Sequence, residues 1–114
     1  MENRNLRVCI TGANGTIGSI LAEELSSHVK VTALRGRSDL DLLDSDAVDQ
    51  YFRKNQFDCL VHCAIAGADD VGSGDFDIFR TNWIMYENLK RQGIYFSRLI
   101  NIGSGCELGY GILG

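Results

Sequence analysis

The sequence lacks an excess of positive charge, a long apolar run and any proline. Its 11 lysines and arginines stand against 15 aspartates and glutamates, which gives a net charge of -4. Nucleic acid is therefore not expected as a partner, because the charge offers nothing to attract it. No apolar run approaches the roughly 20 residues of a membrane span, so no membrane association is expected. Residues 1–5 are polar and run directly into a predicted strand, which predicts that there is no signal peptide.

The four cysteines show no C-x-x-C spacing of the kind that binds metals. Cys9, Cys59 and Cys63 fall within apolar runs that are predicted core strands, and the fourth is Cys106. We interpret them as buried, reduced thiols, which indicates a cytoplasmic protein. The aspartates at positions 69–77 lack a regular ligand pattern, which favours a solvated loop, and no metal site is predicted.

What the sequence does contain is an alternation of strand and helix patterns, with glycines clustered between them. Apolar runs predict strands at 7–11, 30–34, 58–64 and 98–102, and helical spacing predicts helices at 16–27, from 44 onwards and at 76–92. The length of 114 residues is a common size for one domain. We therefore expect an α/β fold, a doubly wound parallel sheet with helices on both of its faces.

The glycine-rich turn at residues 12–18 (GANGTIG) joins the first predicted strand to the first predicted helix. In such turns glycine supplies unusual backbone angles and lets the backbone approach a phosphate. The N–H groups at the start of the helix then point at the pyrophosphate of a dinucleotide. The alternative is a structural turn that binds nothing. The candidate cofactor-binding residues in the turn are Gly12, Asn14, Gly15, Thr16, Ile17 and Gly18.

Thr11 precedes this turn, and the resulting T-G-x-x-G-x-x-G spacing resembles that of the extended short-chain dehydrogenases/reductases of the NAD-dependent epimerase/dehydratase type. Residues 41–44, 58–64 and 99–104 resemble later motifs of the same family, in the same order. Residues 34–44, together with the G-S-G-C at 103–106, are similar to the GDP-fucose synthase subfamily. The resemblance covers nearly the whole chain and implies a Rossmann fold.

The resemblance also implies further site residues and a function. It places Asp41 and Leu42 beside the adenine, and it places Asn82 in a helix near the cofactor. The third strand would deliver Cys63, Ala64 and Ile65 to the same site. The complete protein would transfer a hydride at a carbon of a nucleotide-sugar substrate, as a reductase, epimerase or dehydratase.

Two arginines bear on which nicotinamide cofactor is bound. The end of the second strand faces the adenosine ribose in such folds, where an acidic residue favours NAD(H) and an arginine favours NADP(H). Arg35 and Arg37 follow that strand, so NADP(H) is favoured over NAD(H). Two readings remain open: the arginines are solvated surface cations, or Asp39 reaches the ribose instead.

The family's catalytic Ser, Tyr and Lys are only partly represented. Ser104 fits the position of the Ser, which hydrogen-bonds the reacting oxygen. The only later tyrosine is Tyr110, and no lysine follows it. Tyr86 and Lys90 have the Y-x-x-x-K spacing but precede Ser104, so we interpret Tyr86 as a packing residue. His62, within an apolar strand, is interpreted as structural.

We therefore expect residues 1–114 to be one apparently incomplete Rossmann domain, truncated before the C-terminal strands and the substrate lobe. The alternative is a non-catalytic module that binds or senses a dinucleotide. The predicted last strand, 98–102, would lie at an unprotected edge of the sheet. A homo-oligomer is therefore expected, and the alternative is a monomer in which residues 106–114 fold back and cover that edge.

Overall fold

The computed structural model describes residues 5–65 and 75–102. In these ranges, strands and helices alternate along the chain, as the sequence predicts. The elements are β1 (Arg7–Thr11), α1 (Thr16–Leu25), β2 (Lys30–Leu34), α2 (Ser45–Lys54), β3 (Cys59–His62), α3 (Asp75–Lys90), a short 3-10 turn (Gly93–Tyr95) and β4 (Arg98–Asn101). The predicted bounds of β1 and β2 are confirmed to the residue.

The other predicted bounds differ by one or two residues, for local reasons. α1 ends at Leu25 because the hydroxyls of Ser26 and Ser27 turn back to donate to carbonyls within the helix. β3 stops after His62 because the N–H of Ala64 turns to the side chain of Thr11. The sequence pattern could not show either change, since both depend on side-chain hydrogen bonds.

The four strands form one parallel sheet in the order β2-β1-β3-β4. The chain moves outward from β1 to β2 and then crosses back over β1 to form β3. The strand order therefore reverses between β1 and β3. In open α/β sheets, ligands bind at such a reversal, in the crevice beyond the carboxyl ends of the two strands.

The helices cover both faces of the sheet, which confirms the doubly wound α/β architecture. α2 and α3 pack on one face, where Val48, Phe52, Met85 and Leu89 meet Leu60 of β3. α1 packs on the other face, and the apolar residues gathered there include Val8, Ile10, Val61, Leu21, Ala22 and Leu25. Alternate residues of β1 and β3 point to opposite faces, so each strand supplies both layers.

Asp44 and an aromatic cluster hold α2 in place. The Asp44 carboxylate accepts from the N–H groups of Asp46 and Ala47 and so caps the helix, as its acidic start predicts. Phe52, on the buried side of the helix, is fully enclosed. Its ring has edge-on contacts with Tyr51, Phe57 and Phe96, at centroid distances of 5.2, 5.9 and 6.4 Å.

Replacing this central ring should weaken the fold strongly. We expect Phe52→Ala to lower the free energy of unfolding by about 3–5 kcal/mol, the sum of lost apolar burial and the cavity left behind. The matched control is Phe76→Ala, because the Phe76 side chain is 65% exposed, and it should change the value by less than about 0.5 kcal/mol. Urea denaturation of the two variants and the wild type measures both values. Equal losses in the two variants would contradict this account of the core.

Candidate functional site

A cleft of about 480 Å³ opens beyond the carboxyl ends of β1 and β3, at the reversal of strand order. That volume suits a small ligand or part of a cofactor. Eleven of the residues predicted from the sequence line it: Gly12, Asn14, Gly15, Thr16, Ile17, Arg37, Asp41, Leu42, Cys63, Ala64 and Ile65. The topology therefore brings the glycine turn, the loop after β2 and the end of β3 to one place.

Three predicted residues lie outside this lining: Gly18, Arg35 and Asn82. Asn82 is 2% exposed, within α3. Ser104 lies outside the described residues. Sequence reasoning also missed several residues of the lining: Thr11, Leu34, Gly36, Leu40, Leu43, Thr81 and Met85. The apolar spacing of α3 is the one signal that could have found Met85.

The three glycines of the turn have different roles. Gly12 has a φ of 68°, which favours glycine, and a Cβ there would stand 2.5 Å from the backbone nitrogen of Ala64. Gly18 is buried, and a Cβ there would overlap the carbonyl oxygen of Gly12. These two positions let the turn, α1 and the end of β3 pack closely. Gly18 has this packing role beneath the turn, and its predicted contact with a cofactor stays a prediction.

Gly15 has a different environment, at the start of α1. It occupies the N-cap position with extended backbone angles, and a Cβ there would meet only the carbonyl oxygen of Gly12, at 3.4 Å. Within the described part of the chain, no side chain caps α1, and its first turn contains no acidic residue. α2, by contrast, has Asp44 as its cap. The first N–H groups of α1 therefore keep their hydrogen-bonding capacity for a group in the cleft.

A buried hydrogen-bonded cluster fixes the floor of the cleft. The Thr11 hydroxyl oxygen accepts from the backbone N–H groups of Cys63 (3.2 Å) and Ala64 (3.4 Å), and it lies 2.6 Å from Nδ1 of His62. Because burial lowers the pKa of His62 to about 4, the imidazole is neutral near pH 7 and shares a hydrogen bond with the Thr11 hydroxyl through Nδ1. His62 is thus a neutral structural residue that orients Thr11.

Residues 40–43 form the wall of the cleft on the β2 side. Asp41 Oδ1 accepts from the backbone N–H of Leu43 at 3.0 Å, and the Asp41 carbonyl accepts from the N–H of Asp44 at 3.1 Å. These bonds form an Asx turn, a tight local structure that an aspartate side chain closes on its own backbone. The wall is therefore shaped before any ligand arrives.

The two arginines after β2 occupy different positions. Both side chains are exposed, but Arg37 lines the cleft and Arg35 lies outside the lining. The carboxylate of Asp39 accepts from the backbone N–H of Arg35 at 2.8 Å, so it closes the loop on itself. The cleft lining in the described residues holds two charged side chains, Arg37 and Asp41.

The aromatic residues of α3 form a stack along one side of that helix. Phe79 and Trp83 have ring centroids 6.2 Å apart, and Trp83 and Tyr86 have centroids 5.8 Å apart. Tyr86 is half-buried in this stack and is absent from the lining of the cleft. This position fits the packing role predicted for Tyr86.

In the described ranges, 5–65 and 75–102, no helix has both the length and the apolar character needed to cross a membrane. They also contain no group of three or more His, Cys, Asp and Glu side chains that could hold a metal ion. Of the three cysteines described, Cys9 is buried and Cys59 and Cys63 are half-buried, and burial raises the pKa of all three thiols.

The fold and the cleft define a Rossmann-type α/β domain. The model of the NAD dependent epimerase/dehydratase family matches residues 8–112, and the chain belongs to that family. A comparison with curated protein sequences gives no match.

Solved structures of nucleotide-sugar enzymes are similar to the chain. A GDP-6-OMe-4-keto-L-xylo-heptose reductase from C. jejuni is 25% identical, with a TM-score of 0.76 over 89% of this chain and 30% of that chain. A GDP-mannoheptose C4 reductase from Campylobacter jejuni, solved with NADP bound, is 24% identical, with a TM-score of 0.75 over 92% and 32%. A GDP-L-fucose synthetase from Naegleria fowleri is 22% identical, with a TM-score of 0.67 over 80% and 28%. The chain thus spans about a third of the length of these proteins.

The His62 cluster generates a prediction about pH. Burial lowers the pKa of His62 from its ordinary 6.5 to about 4, so the folded protein binds fewer protons than the unfolded chain between these values. The contribution of His62 to stability should be complete above pH 6.5 and should fall by about 3 kcal/mol as the pH approaches 4. The measurement is the free energy of unfolding from pH 7 to pH 4.

The His62→Gln variant isolates this effect, because glutamine does not titrate. Between pH 7 and pH 4, the free energy of unfolding of the variant should fall less than that of the wild type. His28→Gln is the matched control at an exposed position and should keep the wild-type slope. A His62→Gln slope equal to that of the wild type would show that the buried imidazole does not govern this loss.

Proposed function

We propose that the chain is the NAD(P)(H)-binding domain of a nucleotide-sugar reductase, epimerase or dehydratase, and that its cleft holds the cofactor. The observation that carries this proposal is the start of α1. Its N-cap is a glycine, no described side chain caps it, and it opens into the cleft where the strand order reverses. A pyrophosphate group would satisfy these N–H groups and would be attracted by the helix dipole.

The residues around the cleft fit the two ends of such a cofactor. The wall at residues 40–43 would contact the adenine, and residues 63–65 after β3 would lie along the remainder. The glycine turn between them would meet the phosphates. When bound, the nicotinamide supplies or accepts a hydride. The chain's own part is to hold the cofactor in one orientation and to shield it from water on the sheet side.

The choice between NADP(H) and NAD(H) depends on the loop after β2. Arg37 lines the cleft and would pair with a 2′-phosphate on the adenosine ribose. The competing residue, Asp39, already accepts a hydrogen bond from the backbone of Arg35, which supports a role in shaping the loop. We therefore propose that NADP(H) is preferred. The GDP-mannoheptose C4 reductase that was solved with NADP bound lends support to this choice.

The catalytic step belongs to the proposal for the whole protein. Ser104 would hydrogen-bond the reacting oxygen of the substrate, in accord with the family resemblance. The 114 residues contain no Y-x-x-x-K after Ser104. In this family the Tyr and Lys of that motif supply general acid–base catalysis, which contributes about 10²–10⁴-fold to the reaction rate. We also propose that the whole protein acts on a nucleotide-sugar substrate, forms a homo-oligomer and is located in the cytoplasm.

Gly15→Asp tests phosphate binding at α1 while preserving the fold. The extended backbone at Gly15 accepts any residue, and an aspartate there would cap α1 as Asp44 caps α2. The free energy of unfolding should stay equal or rise by a few tenths of a kcal/mol. NADPH affinity, measured by calorimetric titration, should fall by more than about tenfold because the new carboxylate meets the phosphates.

The control for this test is Gly15→Asn, which also caps the helix but adds no charge. It should lose less NADPH affinity than Gly15→Asp. If the aspartate variant is folded and binds NADPH as the wild type does, the phosphates do not lie at the start of α1, and the proposed site is wrong.

Arg37→Ala tests the cofactor preference. We expect it to weaken NADPH binding by about 1.5–3 kcal/mol, the scale of a hydrogen bond to a charged group, and to leave NADH binding nearly unchanged. Arg35→Ala should cost less, because Arg35 lies outside the lining of the cleft. Arg53→Ala, near the end of α2, is the control for loss of one positive charge. Equal affinity of the wild type for NADPH and NADH would refute the preference.

A further inference from the structure

Asn88 connects α3 to the wall of the cleft. It is 5% exposed, and its side-chain Nδ2 donates to the carbonyl oxygen of Leu42 at 2.8 Å. Leu42 lines the cleft and lies 46 residues earlier in the sequence. α3 also carries Thr81 and Met85, which line the cleft directly. α3 therefore both lines the cleft and holds the neighbouring wall at residues 40–43.

The orientation of the Asn88 amide is fixed by its neighbours. Its Oδ1 accepts from Nη1 of Arg91 at 3.1 Å, and a guanidinium can only donate. Nδ2 must therefore be the atom that faces the Leu42 carbonyl. Arg91 in turn donates from Nη2 to Oδ1 of Asp49 on α2, at 2.9 Å, and Gln92 donates to the same oxygen. These donors hold the pKa of the Asp49 carboxyl below its usual range.

The hydrogen bond from Asn88 completes a clamp on a single peptide group. The Leu42 carbonyl and the Leu43 N–H belong to the same planar peptide unit. Asn88 binds its oxygen, and Asp41 Oδ1 binds its N–H at 3.0 Å. With both polar ends held, this peptide cannot rotate without losing two hydrogen bonds. The two residues that this peptide joins, Leu42 and Leu43, both line the cleft.

We propose that Asn88 is a positioning residue for the adenine half of the bound cofactor. It holds the Leu42–Leu43 peptide in the orientation that shapes the wall of the cleft for the apolar face of a flat base. This inference rests on the proposed function of the cleft. Asn88 itself is absent from the lining, so its effect on binding is transmitted through the peptide that it clamps.

Asn88→Ala tests the proposal, with Asn55→Ala as a matched control. Asn55 makes the same kind of bond, from Nδ2 to the carbonyl oxygen of Tyr51 at 2.9 Å, but at the end of α2 and outside the cleft lining. Asn88→Ala should weaken the binding of both ADP and NADPH by about five- to tenfold, the scale of one hydrogen bond. Asn55→Ala should leave both affinities unchanged. Calorimetric titration at a temperature where each variant is fully folded gives the affinities.

A second readout separates positioning from a general loss of stability. In Asn88→Ala the amide proton of Leu43 should exchange with solvent at least about tenfold faster, because its peptide is released, while the buried amides of Val48 and Phe52 in α2 keep their wild-type rates. If the variant does not fold, ¹H–¹⁵N spectra of the wild type decide the question. On addition of ADP the Asn88 side-chain amide and the Leu43 amide should shift, and the Asn55 side-chain amide should not.

The outcomes distinguish this proposal from the function on which it rests. A wild-type chain that binds neither ADP nor NADPH refutes the proposed function, and the role of Asn88 with it. A wild type that binds both, beside a folded Asn88→Ala variant with the same affinities, refutes the role of Asn88 alone. Wild-type spectra in which ADP shifts other cleft residues but neither Asn88 nor Leu43 refute it as well.

Discussion

The close approach of Gly12 to Ala64 is the contact on which the geometry of the cleft depends. It brings the carboxyl ends of β1 and β3 together where the strand order reverses, and no side chain fits between the two backbones. The Thr11 hydroxyl holds this approach by accepting from the first two N–H groups after β3. The neutral His62 ring is the third hydrogen-bond partner of this hydroxyl. Four polar groups thereby find hydrogen-bond partners, and the turn above them receives a fixed base.

The first two helices use their N-termini in opposite ways. α2 begins at Asp44, whose carboxylate is consumed in capping the backbone, so this end serves the fold alone. α1 begins at a glycine that caps nothing. The difference separates a helix start that a side chain caps from one whose first N–H groups no described side chain caps.

The sequence was sufficient where a feature depends on neighbours along the chain. Strand β2, the glycine turn and the acidic cap of α2 each follow from residues within a few positions, and each is found where it was predicted. The sequence was insufficient where a feature depends on residues far apart. Nothing in residues 82–92 predicts that Asn88 reaches the Leu42 carbonyl, because the sequence of a helix does not show which distant residue an asparagine on it contacts. Likewise, only the path of the loop after β2 separates Arg37 from Arg35.

The open start of α1 also affects how stable the domain is in a cell. Under the proposed function, a phosphate group completes the hydrogen bonding of the first N–H groups of α1, so a bound dinucleotide would contribute to folding as well as to function. Ligand that binds only the folded state adds about 2.7 kcal/mol at a concentration one hundred times its dissociation constant. The amount of folded domain would then depend on the concentration of the cofactor. A fall in that concentration would leave more of the chain unfolded and open to proteolysis.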